Sequence, residues 1–159
     1  MLSETRDLGV TTGLAIRTPT GDTDTGNGQT RVDPFVAVWA DLGHAWQLRS
    51  GFDVNVVTDR DVLPGLPDAV LTVNLSIGKT FTLNEGGYFS DITPYLATNF
   101  RETFNRGNSK DFSEYDLTPG LRITVMKNVW FITGITFPIA LSGSRPFDTN
   151  YQFVLSLGW

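Results

Sequence analysis

Asp22, Asp24 and Asp33 are the closest approach this sequence makes to a metal-binding spacing. They echo positions one, three and twelve of a calcium loop. The echo fails elsewhere, because Gly26 carries no side-chain oxygen and Asn27 stands where the sharp turn needs glycine. His44 is the sole histidine and cysteine is absent, which removes multi-histidine metal centres, thiolate zinc sites and thiol nucleophiles. A serine hydrolase needs a base beside an exposed nucleophile, and no Gly-x-Ser-x-Gly turn presents one. No catalytic residue, metal or cofactor is expected. What remains is a set of charges of mixed sign: Arg17, Asp33, Asp41, Arg49, Asp53, Arg101, Asp116 and Arg122. Such groups can pair with one another or set the selectivity of a water-filled passage. A lone charge in a narrow lumen is costly, so Asp41, Asp53 and Asp116 are each expected to partner an inward arginine. Arg17, Arg49, Arg101 and Arg122 are then the residues expected to bias which solutes pass.

These charges must be held by strands. Period-two alternation marks eight, over 8–18, 32–41, 46–57, 69–81, 92–104, 113–126, 129–141 and 149–159. In the third, Trp46, Leu48, Phe52, Val54 and Val56 oppose Gln47, Arg49, Gly51, Asp53 and Asn55. The last sets Tyr151, Phe153, Leu155, Leu157 and Trp159 against Gln152, Val154, Ser156 and Gly158. All eight charges fall on the polar faces, with Gly13, Gly51, Gly78 and Gly120 between them. Pro34, Pro94, Pro119 and Pro138 lie inside strands, where they cannot donate to the ladder, and are expected to mark bulges.

Composition agrees with an all-β chain forming one domain, 1–159, with 40% hydrophobic residues and 16 glycines. A net charge of −5 argues against a nucleic-acid surface, which needs clustered cations, so no nucleic-acid partner is expected. No apolar run reaches the roughly 18 residues of a membrane-spanning helix. The opening residues MLSETRDLG lack the basic-then-apolar pattern of a signal peptide, which fits a soluble chain, a processed one or a piece of a longer one.

Alternation does not say which face points outward, since a soluble ligand-binding barrel and a membrane barrel share it with the faces exchanged. Three features favour the membrane. The links at 19–31, 58–68, 105–112 and 142–148 are long, those at 42–45 and 127–128 are tight and that at 82–91 is intermediate, so the long ones share one rim of an up-and-down sheet. Trp39, Trp46, Trp130 and Trp159 sit near the other rim, while Phe35, Phe100, Phe104, Tyr115, Phe137, Phe147 and Tyr151 gather toward the long-loop rim, as two interface girdles would. Mixed arginine and aspartate with small spacers suit a water-accessible lumen better than a solubilising exterior. The fold expected is an antiparallel up-and-down transmembrane β-barrel, which eight strands can close.

The segment Val10 to Thr18 running into Pro19-Thr20-Gly21-Asp22 and a Gly- and Thr-rich loop resembles the PTGD region of the outer-membrane family described as the putative MetA pathway of phenol degradation, a transporter-like barrel family. The end YQFVLSLGW is similar to the C-terminal signal that barrel-assembly machinery reads, carried by Tyr151, Phe153, Leu155, Leu157 and Trp159. The resemblance implies location in the outer membrane of a Gram-negative bacterium, contact with its lipids, and porin-like passive passage of small hydrophobic or aromatic solutes. It also implies about twelve strands, of which this chain would hold the C-terminal portion. The alternatives are a lipocalin-like soluble binder with apolar faces lining a cavity, a lipid-hydrolysing barrel, and a structural barrel with a plugged lumen.

Overall fold

The computed structural model describes residues 3–4, 7–18, 30–58, 67–85, 87–104, 112–141 and 148–157. β-Branched and aromatic residues at alternate positions favour extended backbone, whose N–H and C=O groups are satisfied only by neighbouring strands. Among the described residues ten strands result: β1 (Ser3–Glu4), β2 (Leu8–Arg17), β3 (Arg31–Gly43), β4 (Trp46–Val57), β5 (Ala69–Lys79), β6 (Phe81–Thr82), β7 (Asp91–Phe104), β8 (Phe112–Met126), β9 (Val129–Leu141) and β10 (Asn150–Leu157). They form one antiparallel sheet in chain order, β1-β2-β3-β4-β5-β7-β8-β9-β10, with β6 folded onto β7.

The eight expected strands are all present. The strand expected over 69–81 divides, because β5 pairs with β4 only as far as Trp46 and the chain then moves to β7 through Phe81 and Thr82. The β3–β4 hairpin turns at His44 and Ala45, both with positive φ (54° and 66°), a backbone whose twist matches that of the flanking strands. Bulges fall at Asp41/Gly43, Tyr115/Asp116 and Thr124/Met126. The one at Tyr115/Asp116 lies opposite Pro138, as expected for a strand proline, whereas Pro94 and Pro119 sit in unbroken β7–β8 register and Pro34 in unbroken register with β2.

Closure does not occur among the described residues. The sheet ends at β1 and β2 on one side and at β10 on the other, and no pair joins the two edges. Part of the β2 edge that closure would use is occupied by β1, through Ser3↔Val10 and Glu4↔Gly9.

Register fixes the two faces. Thr12, Val36, Phe52, Val73, Phe100 and Tyr115 form one row across six strands. The adjacent row is Gly13, Phe35, Asp53, Thr72, Arg101 and Glu114. The polar face is concave, since single cavities there take residues from as many as five strands. Burial follows that curvature: the most enclosed polar side chains are Thr136, Thr118, Glu114 and Thr93, whereas Val70 is the one buried hydrophobic among the described residues. The apolar face lies outside, with Leu14, Phe52, Leu75, Leu96 and Ile139 all exposed. Along the edge strand β10 exposure reaches 70% at Phe153 and 66% at Leu155.

One aromatic ties three strands together on the concave side. Tyr95 on β7 lies across β8 and donates from its hydroxyl to Thr133 O on β9 at 3.2 Å. It passes over Gly120 and Gly134, where a Cβ at Gly120 would meet Thr133 O at 2.6 Å and one at Gly134 would meet the tyrosine oxygen at 3.1 Å. Gly120→Val is expected to lower stability by roughly 1–3 kcal/mol through overpacking, and Tyr95→Phe by about 0.5–1.5 kcal/mol through the lost hydrogen bond. Urea midpoints of the three proteins check the order.

Candidate functional site: the polar face

The concave face carries three neighbouring cavities. The first, of about 430 Å³ near the long-loop rim, is bounded by Arg17, Arg31, Asp33, Asp53, Asn55 and Arg101 together with Val70 and Thr72. A second of about 760 Å³ runs along β2 to β5 and shares Arg17, Asp33 and Asp53 with the first. The third, of about 270 Å³, lies toward the tight-turn rim and shares Arg49 and Asn74 with the second. Shared walls make a polar path along the strands.

Strand geometry builds the upper cluster. Asp53, Thr72, Arg101 and Glu114 are successive cross-strand neighbours, so one row brings two acids and a cation together with the Thr72 hydroxyl bonded to Asp53. Arg17 Nη2 lies 3.9 Å from Asp33 Oδ2, with the arginine side chain 71% exposed. Arg31 donates to Asn55 Oδ1 at 2.8 Å and to Pro67 O at 3.5 Å. Glu114 is only 6% exposed, and its Oε1 has no hydrogen-bond partner among the described residues.

All eight expected lumen residues share the parity of this face. Six of them, Arg17, Asp33, Arg49, Asp53, Arg101 and Arg122, line the cavities. The expected pairing of Asp41, Asp53 and Asp116 with arginines is not found among the described residues. Asp41 is exposed at the rim and its Oδ1 accepts the Gly43 N–H at 2.8 Å, holding the bulge before the turn. Asp116 accepts from Asn99 Nδ2 at 2.8 Å, and Asp53 is met by Thr72, because those polar side chains are the immediate neighbours that register supplies.

The aromatic set divides by face. Trp46, Phe137 and Tyr151 are exposed on the apolar side. Trp39 and Trp130 are not: Trp39 lines a cavity beside Arg49, and Trp130 lies beneath the Arg122 guanidinium at 5.0 Å. Closeness to a rim did not fix their face; parity did. Phe35 likewise turns inward over Gly13. Tyr151, Phe153, Leu155 and Leu157 share the outer face, and Phe153 stacks on Phe131 with centroids 6.4 Å apart. Trp159, Phe147, Asp22, Asp24 and residues 19–22 lie outside the described residues. His44 is exposed in the tight turn that follows the Asp41 bulge.

Arg31, Glu114 and Tyr95 escaped the sequence reading. Arg31 stands one residue before the strand expected to start at Val32, and Glu114 has the same parity as Asp116, so both were within reach of the alternation. Tyr95 was not, since only register reveals the glycines beneath it. Lys79 Nζ lies 5.5 Å from the Trp46 ring and 5.6 Å from that of Phe81, and Tyr88 and Phe89 are exposed in the turn between β6 and β7.

Comparison with protein-family models, with curated proteins and with solved structures gives no match. The likeness to the PTGD-containing barrels therefore rests on its residues alone.

The exposed Arg17–Asp33 contact is worth little. A double-mutant cycle with Arg17→Ala and Asp33→Ala is expected to give a coupling of about 0.2–1 kcal/mol that shrinks in high salt.

Proposed function

We propose that this sheet is the wall of an outer-membrane β-barrel whose polar face lines a water-filled passage for small solutes. The observation that carries the reading is the inversion of the faces: aliphatic and aromatic side chains stand exposed on the convex side, while the buried polar side chains among the described residues, Thr93, Thr118, Thr136 and Glu114, lie on the concave one. Water penalises that arrangement and lipid favours it. Strand length fits, since ten residues at about 3.3 Å each, tilted by roughly 40°, cross an apolar band about 25 Å tall. Exposed aromatics stand toward both ends of the outer face, Trp46 and Phe81 at the tight-turn rim and Phe104, Tyr115, Phe137 and Tyr151 toward the other. In lipid the free edges of β2 and β10 require partners, which either their own meeting or further strands supply. The outer-face stripe of β10 is the element that assembly machinery would read.

A lipocalin-like binder would enclose its apolar faces, and here those faces are outside. A lipid hydrolase would need its base beside a nucleophile at the long-loop rim, whereas His44 occupies a tight turn.

Refolding from urea tests the reading. A β spectrum and a heat-dependent gel shift are expected only with detergent, followed by stepwise conductance in planar bilayers. A monodisperse β protein without detergent would contradict the membrane assignment, and a detergent-dependent fold without conductance would indicate a plugged lumen. Asp53→Asn is expected to shift reversal potentials toward anions and Arg101→Gln toward cations. Leu75→Arg, on the apolar face, is expected to cost about 2–4 kcal/mol if it lies at the bilayer midplane.

A further inference from the structure

Arg49 on β4 and Arg122 on β8 reach the same cavity of about 270 Å³. β5 and β7 lie between them: on this face β5 contributes the short side chains of Asn74, Ser76 and Gly78, and Tyr95 of β7 leans away from Arg49, over Gly120 and Gly134 toward Thr133, which leaves the space above β5 open to both arginines. The charge on Arg49 repels that on Arg122. Like charges held together call for a counter-charge. The protein does not supply one directly: among the described residues neither guanidinium forms an ion pair or donates a hydrogen bond. Asp91 attracts Arg122, but its carboxylate already takes hydrogen bonds from Thr82 at 2.9 Å and Ser90 at 2.8 Å. Trp130 supports Arg122 from below and limits where its donors can point.

We propose that this cavity binds a small organic monocarboxylate, its carboxylate held between the two guanidinium forks and its apolar part against Tyr95 and Ile132. A guanidinium matches a carboxylate with two parallel hydrogen bonds. The remaining wall decides between carboxylate and phosphate. Gln47, Asn74 and Ser76 line the side nearest Arg49, whereas the side formed by β7 and β9 presents the Tyr95 ring and Ile132, with the Tyr95 hydroxyl committed to Thr133 O, so that side suits an apolar group better than a third and fourth oxygen. The volume falls just under the roughly 300–1,000 Å³ of drug-sized ligand sites, which keeps the solute small. The inference deepens the proposed passage by naming a solute class, and it rests on that reading only in requiring that water reach the polar face.

Calorimetric titration with butyrate, butyramide and inorganic phosphate tests it, on whichever preparation, in detergent or without, has the β spectrum. Butyrate is expected to bind saturably, more tightly than phosphate, while butyramide gives no saturable heat. Arg49→Gln and Arg122→Gln should each weaken butyrate at least tenfold, and Lys127→Gln, in the β8–β9 turn, should leave it unchanged. Should Arg122→Gln fail to fold, Arg49→Gln carries the test, because it leaves the Trp130 contact in place. No saturable butyrate binding, equal binding of butyramide, tighter binding of phosphate, or indifference to the arginine variants would overturn the site. Saturable binding by a protein that folds without detergent would overturn the membrane passage and leave the site standing.

Discussion

A strand has one backbone and two faces, and pairing the backbone into a sheet fixes which side chains travel together. Here every charged row is bound by register to an apolar row one residue away. A single curved sheet encloses only one face. In this chain the enclosed face carries the arginines, acids and hydroxyls, and the aliphatic rows are left outside. The cavities, the glycines beneath Tyr95 and the exposed aromatics all depend on that choice. So does the proposed surrounding, because the hydrophobic effect that would collapse such a surface in water is satisfied by acyl chains.

The enclosed face is not uniform. Near the long-loop rim Arg17, Arg31 and Arg101 stand among Asp33 and Asp53, with Glu114 next to Arg101 in register, so charge there is close to balanced. Toward the tight-turn rim Arg49 and Arg122 are the charged residues of the cavity wall among the described residues. A passing ion would meet a mixed field first and a positive one after it, if it entered from the long-loop rim. In the proposed passage selectivity would belong to the one-signed part of the path, while the balanced part would keep the wall hydrated.

Much of this was legible in the sequence. Period-two alternation located the eight long strands, with the 46–57 and 129–141 limits matching β4 and β9, and it put the eight chosen charges on one face. What failed were inferences that need register. Whether Asp53 meets an arginine or Thr72 depends on how β4 aligns with β5, and alternation within one strand carries no trace of that. Trp39 and Trp130 were assigned by distance from a turn, although their own parity already placed them with Asp33 and with Ile132. Closure depends on the two edge strands and on β1, a two-residue strand too short to leave a periodic signal.

The absence of native cysteine makes one measurement especially clean. Single cysteines at each position from Leu71 to Ile77 in β5, spin-labelled in lipid bilayers, would report contact with oxygen, which concentrates in acyl chains, and with a water-soluble nickel complex. The account requires Leu71, Val73, Leu75 and Ile77 to favour oxygen and Thr72, Asn74 and Ser76 to favour nickel, in strict alternation. Nickel access at the apolar positions, or loss of the alternation, would mean that lipid does not cover that face and would contradict the central claim.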